Sequence, residues 1–451
     1  MIILGWIFTV VTSIVFWLAA LEAAVRSLRL AGFKLFKCAR TPLECVEEGC
    51  VRPILKFFVC SKGDRYGEPL QTQVSVPKGI FLFAIGLRVA MIFISYLMIS
   101  HIHGGWQSFE FFIYRSTGWD NYPRMAEHGY SYLHNGRHIF LVFFPLYIYL
   151  IRIVAAVTHN YYIAGYIVSH VAYVFGVYYL YRLVRLEFSE KAATWAVIFI
   201  SIAPLGFYFG TAMTESLMLL TSAMTLYYIR THKWMLAGIA GALAMATRMV
   251  GAVFVVVGFV ELFMHHKIFT MAKESNWGGI GKLLVTKGSW ILLMLTGGAV
   301  FLFINWWVSG DMFRFAYYQR VQWGNHYTWY FGRTVLNQFR LIVNMDAASF
   351  IRWTIIPNIL SFAFVIIMLV YAAIKRHSTV YIAYVMGYVI ISYAMSWLIS
   401  GARYITACVP LFIFLACMLE NRPKLRLAVA IIFVAAMLPM RYVLMSRGAV
   451  F

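Results

Sequence analysis

The feature that most constrains this chain is a series of apolar stretches, each about as long as a bilayer is thick. A helix needs about 20 apolar residues to cross roughly 30 Å of hydrocarbon. Residues 234–264 are apolar over too great a length for one crossing and are interrupted around Arg248, which predicts two short helices with Arg248 at their tip. Together with that pair, the stretches predict 11–13 transmembrane helices, the others being residues 2–24, 79–101, 160–182, 192–209, 214–230, 289–308, 350–374, 379–400, 404–420 and 426–443.

Composition agrees with an all-α polytopic membrane protein. Of the 451 residues 62% are hydrophobic and only 12% are charged, and the mean hydropathy is +0.76, which is more apolar surface than one water-soluble core can bury. The formal charge of +21 comes from basic clusters between apolar stretches. We interpret these as orientation signals and lipid-headgroup contacts, not as a nucleic-acid surface. The first stretch has no basic segment before it, which predicts a retained anchor.

The lysines predict the orientation of the chain. When residues 25–78 are placed in the cytoplasm, every lysine falls in a cytoplasmic segment, as the positive-inside rule favours. Two polar segments, residues 102–159 and 309–349, then lie outside, with the apolar piece 139–157 along the outer face. We divide the chain into residues 1–78, an anchor and basic cysteine-containing cytoplasmic loop, and residues 79–451, one transmembrane unit. The lysines are Lys34, Lys37, Lys56, Lys62, Lys78, Lys191, Lys233, Lys267, Lys273, Lys282, Lys287, Lys375 and Lys424.

Carboxylates are scarce on the predicted outer face, so any general base acting there comes from a short list. For each of them, a helix cap or an arginine partner is the ordinary alternative role. Glu215 opens a predicted span, where the partial positive charge of a helix N-terminus favours a carboxylate. The outer carboxylates are Asp120, Asp311, Asp346, Glu110, Glu127 and Glu215.

Two arginines lie at the outer ends of apolar spans, where an ionised side chain is costly without an anionic partner. They are Arg248 in ATRMVG and Arg403 in SGARYI. Lysine is absent from this face, and a guanidinium can hold phosphate with a planar fork of donors. The pair therefore predicts an anionic ligand, with pairing to Glu215 or Asp311 as the structural alternative.

The cysteines do not predict a metal site. Cys45 and Cys50 form one C-x4-C in the inner loop that also holds Cys38 and Cys60, but no second close pair and no nearby histidine completes a common zinc site. Plain reduced thiols are the expected state. The chain also lacks a Walker loop, G-x-G-x-x-G, G-x-S-x-G, H-E-x-x-H and an outward D-x-D pair, which disfavours a nucleotide-dependent reaction.

The outer-face residues resemble those of a known family. The run GWDNYPRMAEHGYSY, followed by FFPLYIYLIR, resembles the first luminal loop of the PIG-V family of mannosyltransferases. The blocks RLVRLEFSEKAA, TAMTESLMLL, GALAMATRMVGAVFV, SGDMFRFAYYQRVQWG and GARYITACVPLF follow in the family's order. The resemblance covers about residues 119–412 and is closer to the prokaryotic branch than to the eukaryotic GPI enzyme.

The resemblance implies a GT-C glycosyltransferase, a multi-span enzyme whose active site lies on the extracytoplasmic face and which takes mannose from a polyprenyl-phosphate carrier. It implies that Asp120 is the catalytic base of an inverting displacement. We assign Arg248 and Arg403 to the donor phosphate because of their positions. The residues expected around the sugar or the acceptor are Trp119, Glu127, His128, Glu215, Asp311, Gln319 and Trp323.

We therefore predict transfer of mannose from a polyprenyl-phosphate-mannose donor to a hydroxyl of a lipid-linked or glycan acceptor, without a metal or cofactor. One alternative is a different sugar on the same carrier. Another is a lipid or solute transporter without enzymatic activity, although transporters commonly place their substrate site halfway through the membrane. The expected location is the cell membrane, or the endoplasmic reticulum membrane in a eukaryote.

Overall fold

The computed structural model describes residues 1–33, 70, 74–118, 120–134, 136–345, 347–446 and 448. Trp119, Asp346 and the four inner-loop cysteines lie outside the described residues. Within the described ranges the chain is helical and contains no β-strand, only two isolated bridges. The predicted all-α class is therefore confirmed, whereas the division between residues 78 and 79 stays a prediction.

We number the helices in chain order and treat a π-turn as part of the helix that contains it. Three short 3-10 segments, Ile139–Val142, Gly206–Gly210 and Met249–Ala252, connect them. The helices are α1 Ile2–Leu30, α2 Lys78–Ile102, α3 Phe109–Ser116, α4 Asn121–His128, α5 Pro145–Thr158, α6 Tyr161–Arg185, α7 Glu190–Ile202, α8 Glu215–Arg230, α9 Trp234–Thr247, α10 Val253–His266, α11 Ile268–Lys273, α12 Trp277–Leu293, α13 Thr296–Ser309, α14 Arg314–Val321, α15 Phe331–Asn344, α16 Ala348–Ile374, α17 Thr379–Tyr393, α18 Gly401–Thr406, α19 Val409–Leu419 and α20 Pro423–Met445.

Six helices in the described part of the chain are long and apolar enough to cross a membrane, so the protein is a multi-pass membrane protein. They are α1, α2, α6, α10 with its 3-10 turn, α16 and α20. The pair α12 and α13, bent by 48°, makes a seventh if it is one span. Four shorter apolar helices, α5, α9, α17 and α19, are also present. The predicted total of 11–13 crossings counts such short helices as well as the long ones.

Proline explains where several predicted spans are cut short. The predicted span 192–209 ends as a helix at Ile202, because Ala203 precedes Pro204 and takes the extended conformation that a residue before proline prefers. Near the C-terminus, Pro410 stands in the first turn of α19, where its missing N–H costs nothing, and the chain before it forms the separate short helix α18.

The predicted break at Arg248 is present. Helix α9 ends at Thr247, Arg248 has extended backbone angles (φ −157°, ψ 149°), and the turn Met249–Ala252 leads into α10. A Cβ on Gly251 would lie 2.3 Å from the backbone nitrogen of Met245, so only glycine permits the turn to fold back this tightly on α9. The Arg248 side chain is thereby held at the shared end of two helices.

The centre of the bundle is rich in buried tyrosine. Helix α6 packs against α5, α7 and α8, and α8 packs against α9. Tyr173 and Tyr384 are fully buried, and their hydroxyls donate to the hydroxyls of Ser201 at 2.7 Å and Ser222 at 3.0 Å. Such partners are required because an unpaired polar group in a membrane interior is costly.

The two segments predicted to lie outside meet at one end of the bundle, which we call the outer end. The indole N–H of Trp323 donates to the carbonyl of Ile139 at 3.4 Å, and the Trp323 ring meets the Phe143 ring edge to face at 5.6 Å. The backbone N–H of His138 also donates to the Tyr318 hydroxyl at 3.4 Å. Residues 309–349 thus pack against residues 102–159.

Candidate active site

Glu215 occupies the first turn of α8 and is 1% exposed. The positive end of the helix dipole stabilises a carboxylate at this position. The next residue ties the start of the helix to the preceding turn, because the Ser216 hydroxyl donates to the carbonyl of Phe209 at 2.7 Å. The sequence GTAMTES therefore folds so that a buried carboxylate stands at the outer end of the bundle.

Glu215 contacts both arginines that the sequence singles out. Its Oε1 lies 3.3 Å from Nη1 of Arg248 and 3.1 Å from Nε of Arg403. The pairing considered as an alternative is therefore present for both arginines. Because a guanidinium remains protonated in proteins, two arginines that share one carboxylate leave a net charge of about +1. The other oxygen of Glu215, Oε2, is buried and has no hydrogen-bond partner among the described residues.

Two tyrosine rings hold the guanidinium groups in place. The Tyr404 ring lies 4.0 Å from the Arg248 guanidinium carbon and 5.3 Å from that of Arg403. The Tyr208 ring lies 5.3 Å from the Arg403 guanidinium carbon on another side. Cation–π contacts of this kind stabilise a desolvated arginine without neutralising it. We call Glu215, Arg248, Arg403, Tyr404 and Tyr208 the Glu215 cluster.

Tyr122 connects α4 to the Glu215 cluster. Burial raises the pKa of the Tyr122 hydroxyl to about 12, although the nearby Arg248 charge opposes this shift. The hydroxyl therefore stays protonated at physiological pH. The ring meets Phe143 and Tyr147 edge to face, each at 5.2 Å between centroids, so α4 is anchored beside the cluster.

Asp120 stands two residues before Tyr122, at the N-cap position of α4. Its carboxylate forms an ion pair with Arg124, one helical turn on. The side chain is 27% exposed, so a substrate hydroxyl can reach it. Asp120 thus stands next to both the N-terminus of α4 and the Arg124 guanidinium. The tryptophan before it, Trp119, lies outside the described residues.

Glu127 and His128 lie at the opposite end of α4. The His128 Nε2 and a carboxylate oxygen of Glu127 are 3.8 Å apart, both side chains are exposed, and the His128 ring stacks on Tyr132 at 4.7 Å. Glu127 follows Asp120 by seven positions, which is about 10 Å along a helix axis. The structure therefore places Glu127 and His128 at the other end of the helix from Asp120 and does not bring them into the Glu215 cluster.

The larger of the two described cavities adjoins this second end of α4. Its volume is about 470 Å³, and its lining includes His128, Arg152, Phe303 and Trp307. The Arg152 Nε donates to the carbonyl of Ala126 at 2.6 Å, which holds the guanidinium at the cavity wall. Trp307 is 73% exposed and Phe303 54%. The cavity thus combines a cation with apolar walls on the α13 side.

The residues predicted to belong to the site from the second outer segment, 309–349, differ in how near they lie to the Glu215 cluster. Asp311 accepts from the backbone N–H of Phe313 at 2.9 Å and lies 3.7 Å from Arg314, so it caps its own segment. In the described part of the chain no side-chain contact joins Asp311 or Gln319 to the Glu215 cluster. Trp323 is connected to the Glu215 cluster indirectly, through other rings: it contacts Phe143, and Phe143 contacts Tyr122.

Several residues of the site escaped the sequence analysis. Tyr404 follows Arg403 directly, and an aromatic beside a span-end arginine is a usable signal for a cation–π partner. Arg124 stands four residues after Asp120, the spacing of an ion pair within a helix. Tyr208 and Arg152 carry no such signal, because their partners lie far away in the sequence.

Comparison with known proteins adds one match to a family. Residues 144–305 match the family model described as dolichyl-phosphate-mannose-protein mannosyltransferase. The match covers part of the chain only. It includes Glu215 and Arg248 but neither Asp120 nor Arg403, and it does not confirm the PIG-V family. No curated protein matches the chain.

Among solved structures, the chain is similar to ArnT from Cupriavidus metallidurans bound to undecaprenyl phosphate, with a TM-score of 0.45, 10% sequence identity, and coverage of 82% of this chain and 76% of that one. It is also similar to the archaeal oligosaccharyltransferase AglB from Archaeoglobus fulgidus in complex with an inhibitory peptide and a dolichol-phosphate. There the TM-score is 0.39 and the identity 12%, over 81% of this chain and 55% of that one.

Proposed function

We propose that this membrane protein is an inverting glycosyltransferase of GT-C type that moves mannose from a polyprenyl-phosphate-mannose donor to a hydroxyl of a lipid-linked or glycan acceptor, on the extracytoplasmic face. The observation that carries the proposal is the pair of arginines sharing one buried carboxylate beside α4, the helix that directly follows Asp120. The partial match to a family named for dolichyl-phosphate-mannose supports a sugar carried on a lipid phosphate.

The donor phosphate takes the excess positive charge of the Glu215 cluster. Arg248 and Arg403 keep 16% and 13% of their side chains exposed, so both can be reached by an anion. Each guanidinium has more N–H donors than Glu215 can occupy. A phosphate that accepts the remaining donors is held by charge and by geometry, while its lipid tail lies between helices.

Glu215 also has a role toward the sugar. Its Oε2 is a buried acceptor with no partner among the described residues, and such an atom costs free energy until a donor reaches it. A hydroxyl of the donor sugar supplies that donor. The same carboxylate would then position the arginines through Oε1 and the sugar through Oε2.

Asp120 performs the chemical step. Its carboxylate accepts the proton of the acceptor hydroxyl as the hydroxyl oxygen attacks C1 of the sugar. The new C1–O bond forms while the bond from C1 to the phosphate oxygen breaks, and the electron pair leaves with polyprenyl phosphate. Arg248 and Arg403 stabilise the charge that develops on that phosphate. Attack from the face opposite the leaving group inverts C1.

The acceptor occupies the cavity of about 470 Å³ at the far end of α4. The cation of Arg152 suits a phosphate or an electronegative sugar oxygen, and the exposed rings of Phe303 and Trp307 suit a sugar face or a lipid chain. His128 lines this cavity at the C-terminal end of α4, so the acceptor hydroxyl has to extend along α4, past Glu127, to reach Asp120.

A purified-enzyme assay tests the proposal. The protein is incubated with a panel of polyprenyl-phosphate sugars and with lipid and glycan acceptors, and the products are identified by mass spectrometry. We expect a product one hexose heavier with the mannose-bearing donor, and free polyprenyl phosphate in equal amount. If only a donor that carries a sugar other than mannose gives product, the mannose assignment is wrong. If none of the donors gives product, the proposed glycosyltransferase activity is wrong.

Arg403→Ala should weaken binding of the donor lipid by about 10- to 100-fold, because a charge-assisted contact to phosphate is worth about 1.5–3 kcal/mol. Binding is measured by equilibrium competition with polyprenyl phosphate in detergent. Arg314→Ala is the matched control, because Arg314 contacts only Asp311 and the Tyr317 ring in the described structure. A donor affinity that is equal in both variants would make Arg403 purely structural.

A further inference from the structure

A second pair of buried arginines lies in the membrane-spanning region, away from the Glu215 cluster. Arg88 of α2 is 3% exposed and Arg441 of α20 is 2% exposed. Both line a cavity of about 10 Å³, together with Ser95 of α2 and His170 of α6. The turn Gly206–Gly210 closes another side of the cavity through Phe207. Four elements that are distant in the sequence therefore bring two cations to one point.

Neither arginine has an acidic partner in the described part of the chain. Arg88 donates only to the carbonyls of Gly206 and Ser201, both at the long distance of 3.4 Å, and its guanidinium lies 4.2 Å from the Tyr173 ring. Arg441 donates from Nε to the Ser95 hydroxyl at 2.9 Å. Arg88 Nε and Arg441 Nη1 are buried and have no hydrogen-bond partner among the residues that the structure describes.

Two buried cations without an anion are expensive inside a membrane protein. Ionised groups there are paired or face water, because desolvation of an uncompensated charge costs several kcal/mol. Arginine cannot escape this cost by losing its proton. His170 does not offset the charge, since its Nδ1 donates to the carbonyl of Tyr166 at 2.8 Å and a neutral ring carries none. We therefore expect an anion from solution to bind beside Arg88 and Arg441.

We propose that Arg88, Arg441 and Ser95 bind a single halide ion, chloride under physiological conditions. The cavity has room for about one water-sized probe, which fits a monatomic anion and excludes a phosphate group. The polar residues that line it supply donors. Each arginine has an N–H group without a partner among the described residues. The Ser95 oxygen accepts from Arg441, and its own proton is left to be donated to the ion.

The halide site is joined to the Glu215 cluster by the turn Gly206–Gly210. Arg88 donates to the carbonyl of Gly206, and the Arg441 guanidinium lies 5.7 Å from the Phe207 ring. The ring of the following residue, Tyr208, lies 5.3 Å from the Arg403 guanidinium carbon. A bound halide thus holds the backbone that carries Tyr208, and its binding stabilises the outer end of the bundle.

The test is a thermal unfolding series on the full-length protein in detergent, with sodium chloride, bromide or gluconate at equal ionic strength. We expect chloride and bromide to raise the melting temperature by on the order of 2 °C at tenfold excess over the dissociation constant. Gluconate, whose anion is too large for the cavity, should give no increase. Crystals grown in bromide should show an anomalous peak between Arg88 and Arg441.

Arg441→Met should abolish the halide response, and Ser95→Ala, which removes one small donor and keeps the fold, should shift the halide titration to higher concentrations. Arg182→Met is the matched control: that arginine lies on the rings of Tyr178 and Tyr227, outside the cavity, so its variant should keep the full response. An equal response to all three salts, or a halide response retained in Arg441→Met, would each overturn the halide site.

Discussion

Asp120→Asn is expected to lower sugar transfer by about 10²- to 10⁴-fold, the usual contribution of a general base. An amide keeps the size of the side chain and can still accept from Arg124, but it cannot take the proton of the acceptor hydroxyl. The rate is measured with donor and acceptor both saturating, so that the chemical step is observed. Donor binding and the melting temperature should stay near those of the wild-type protein.

The matched control for this variant is Glu110→Gln. Glu110 is another carboxylate of the first outer segment, exposed in the first turn of α3, and the proposed reaction gives it no part. Its variant should therefore turn over at the wild-type rate. Near-normal turnover by Asp120→Asn would remove Asp120 from the mechanism, whatever the control does.

Glu215→Gln is expected to reduce the free energy of unfolding by about 3–5 kcal/mol, which is the cost of leaving a buried charge without its partner. The substitution strands two guanidinium groups at once, because Arg248 and Arg403 share this carboxylate. Unfolding is followed in detergent with increasing denaturant, using tryptophan fluorescence. The same variant should lose sugar transfer, since the arginines lose the group that positions them.

A double variant separates this effect from simple loss of packing. Glu215→Gln combined with Arg403→Met leaves one stranded guanidinium instead of two, so the loss should be smaller than the sum of the two single losses. Strict additivity, or a loss below about 1 kcal/mol for Glu215→Gln alone, would contradict the view that one carboxylate neutralises this cluster.

The fold was predictable where it depends on apolar length and on local breaking residues. The long helices α1, α2, α6, α16 and α20 each overlap a stretch of about 20 apolar residues. The break at Arg248 follows from polar residues and a glycine within one apolar run. The short helices were harder to predict, because an apolar run does not show whether a proline such as Pro204 or Pro410 will end a helix inside it.

The site was predictable in part, through charge. In a chain with little charge, the rare ionised residues at span ends stand out, and Glu215, Arg248 and Arg403 lie in contact as that reasoning suggests. The same reasoning selected Asp311, and position within the second outer segment selected Gln319. The described contacts of both residues stay within that segment. An outer-face carboxylate and an outer-face arginine have many possible partners, and only the packing of distant segments decides among them.

The arginine pair Arg88 and Arg441 shows what sequence reasoning alone does not reach. Each arginine lies inside an apolar stretch, and the two helices are far apart in the sequence. Taken alone, each looks like a single charged residue within a membrane span and does not indicate a binding site. Only the packing of α2 and α20 together reveals that they face one cavity.

The sidedness of the Asp120 segment tests the account most directly, because a donor on the extracytoplasmic leaflet can meet Asp120 only if this end of the bundle faces outward. In a cysteine-free background, Ser131→Cys and Glu274→Cys are both exposed positions, on the segments predicted to lie outside and inside respectively. A membrane-impermeant maleimide should label Ser131→Cys in intact cells and Glu274→Cys only after permeabilisation. Labelling of Glu274→Cys in intact cells, with Ser131→Cys protected until the membrane is opened, would contradict the account.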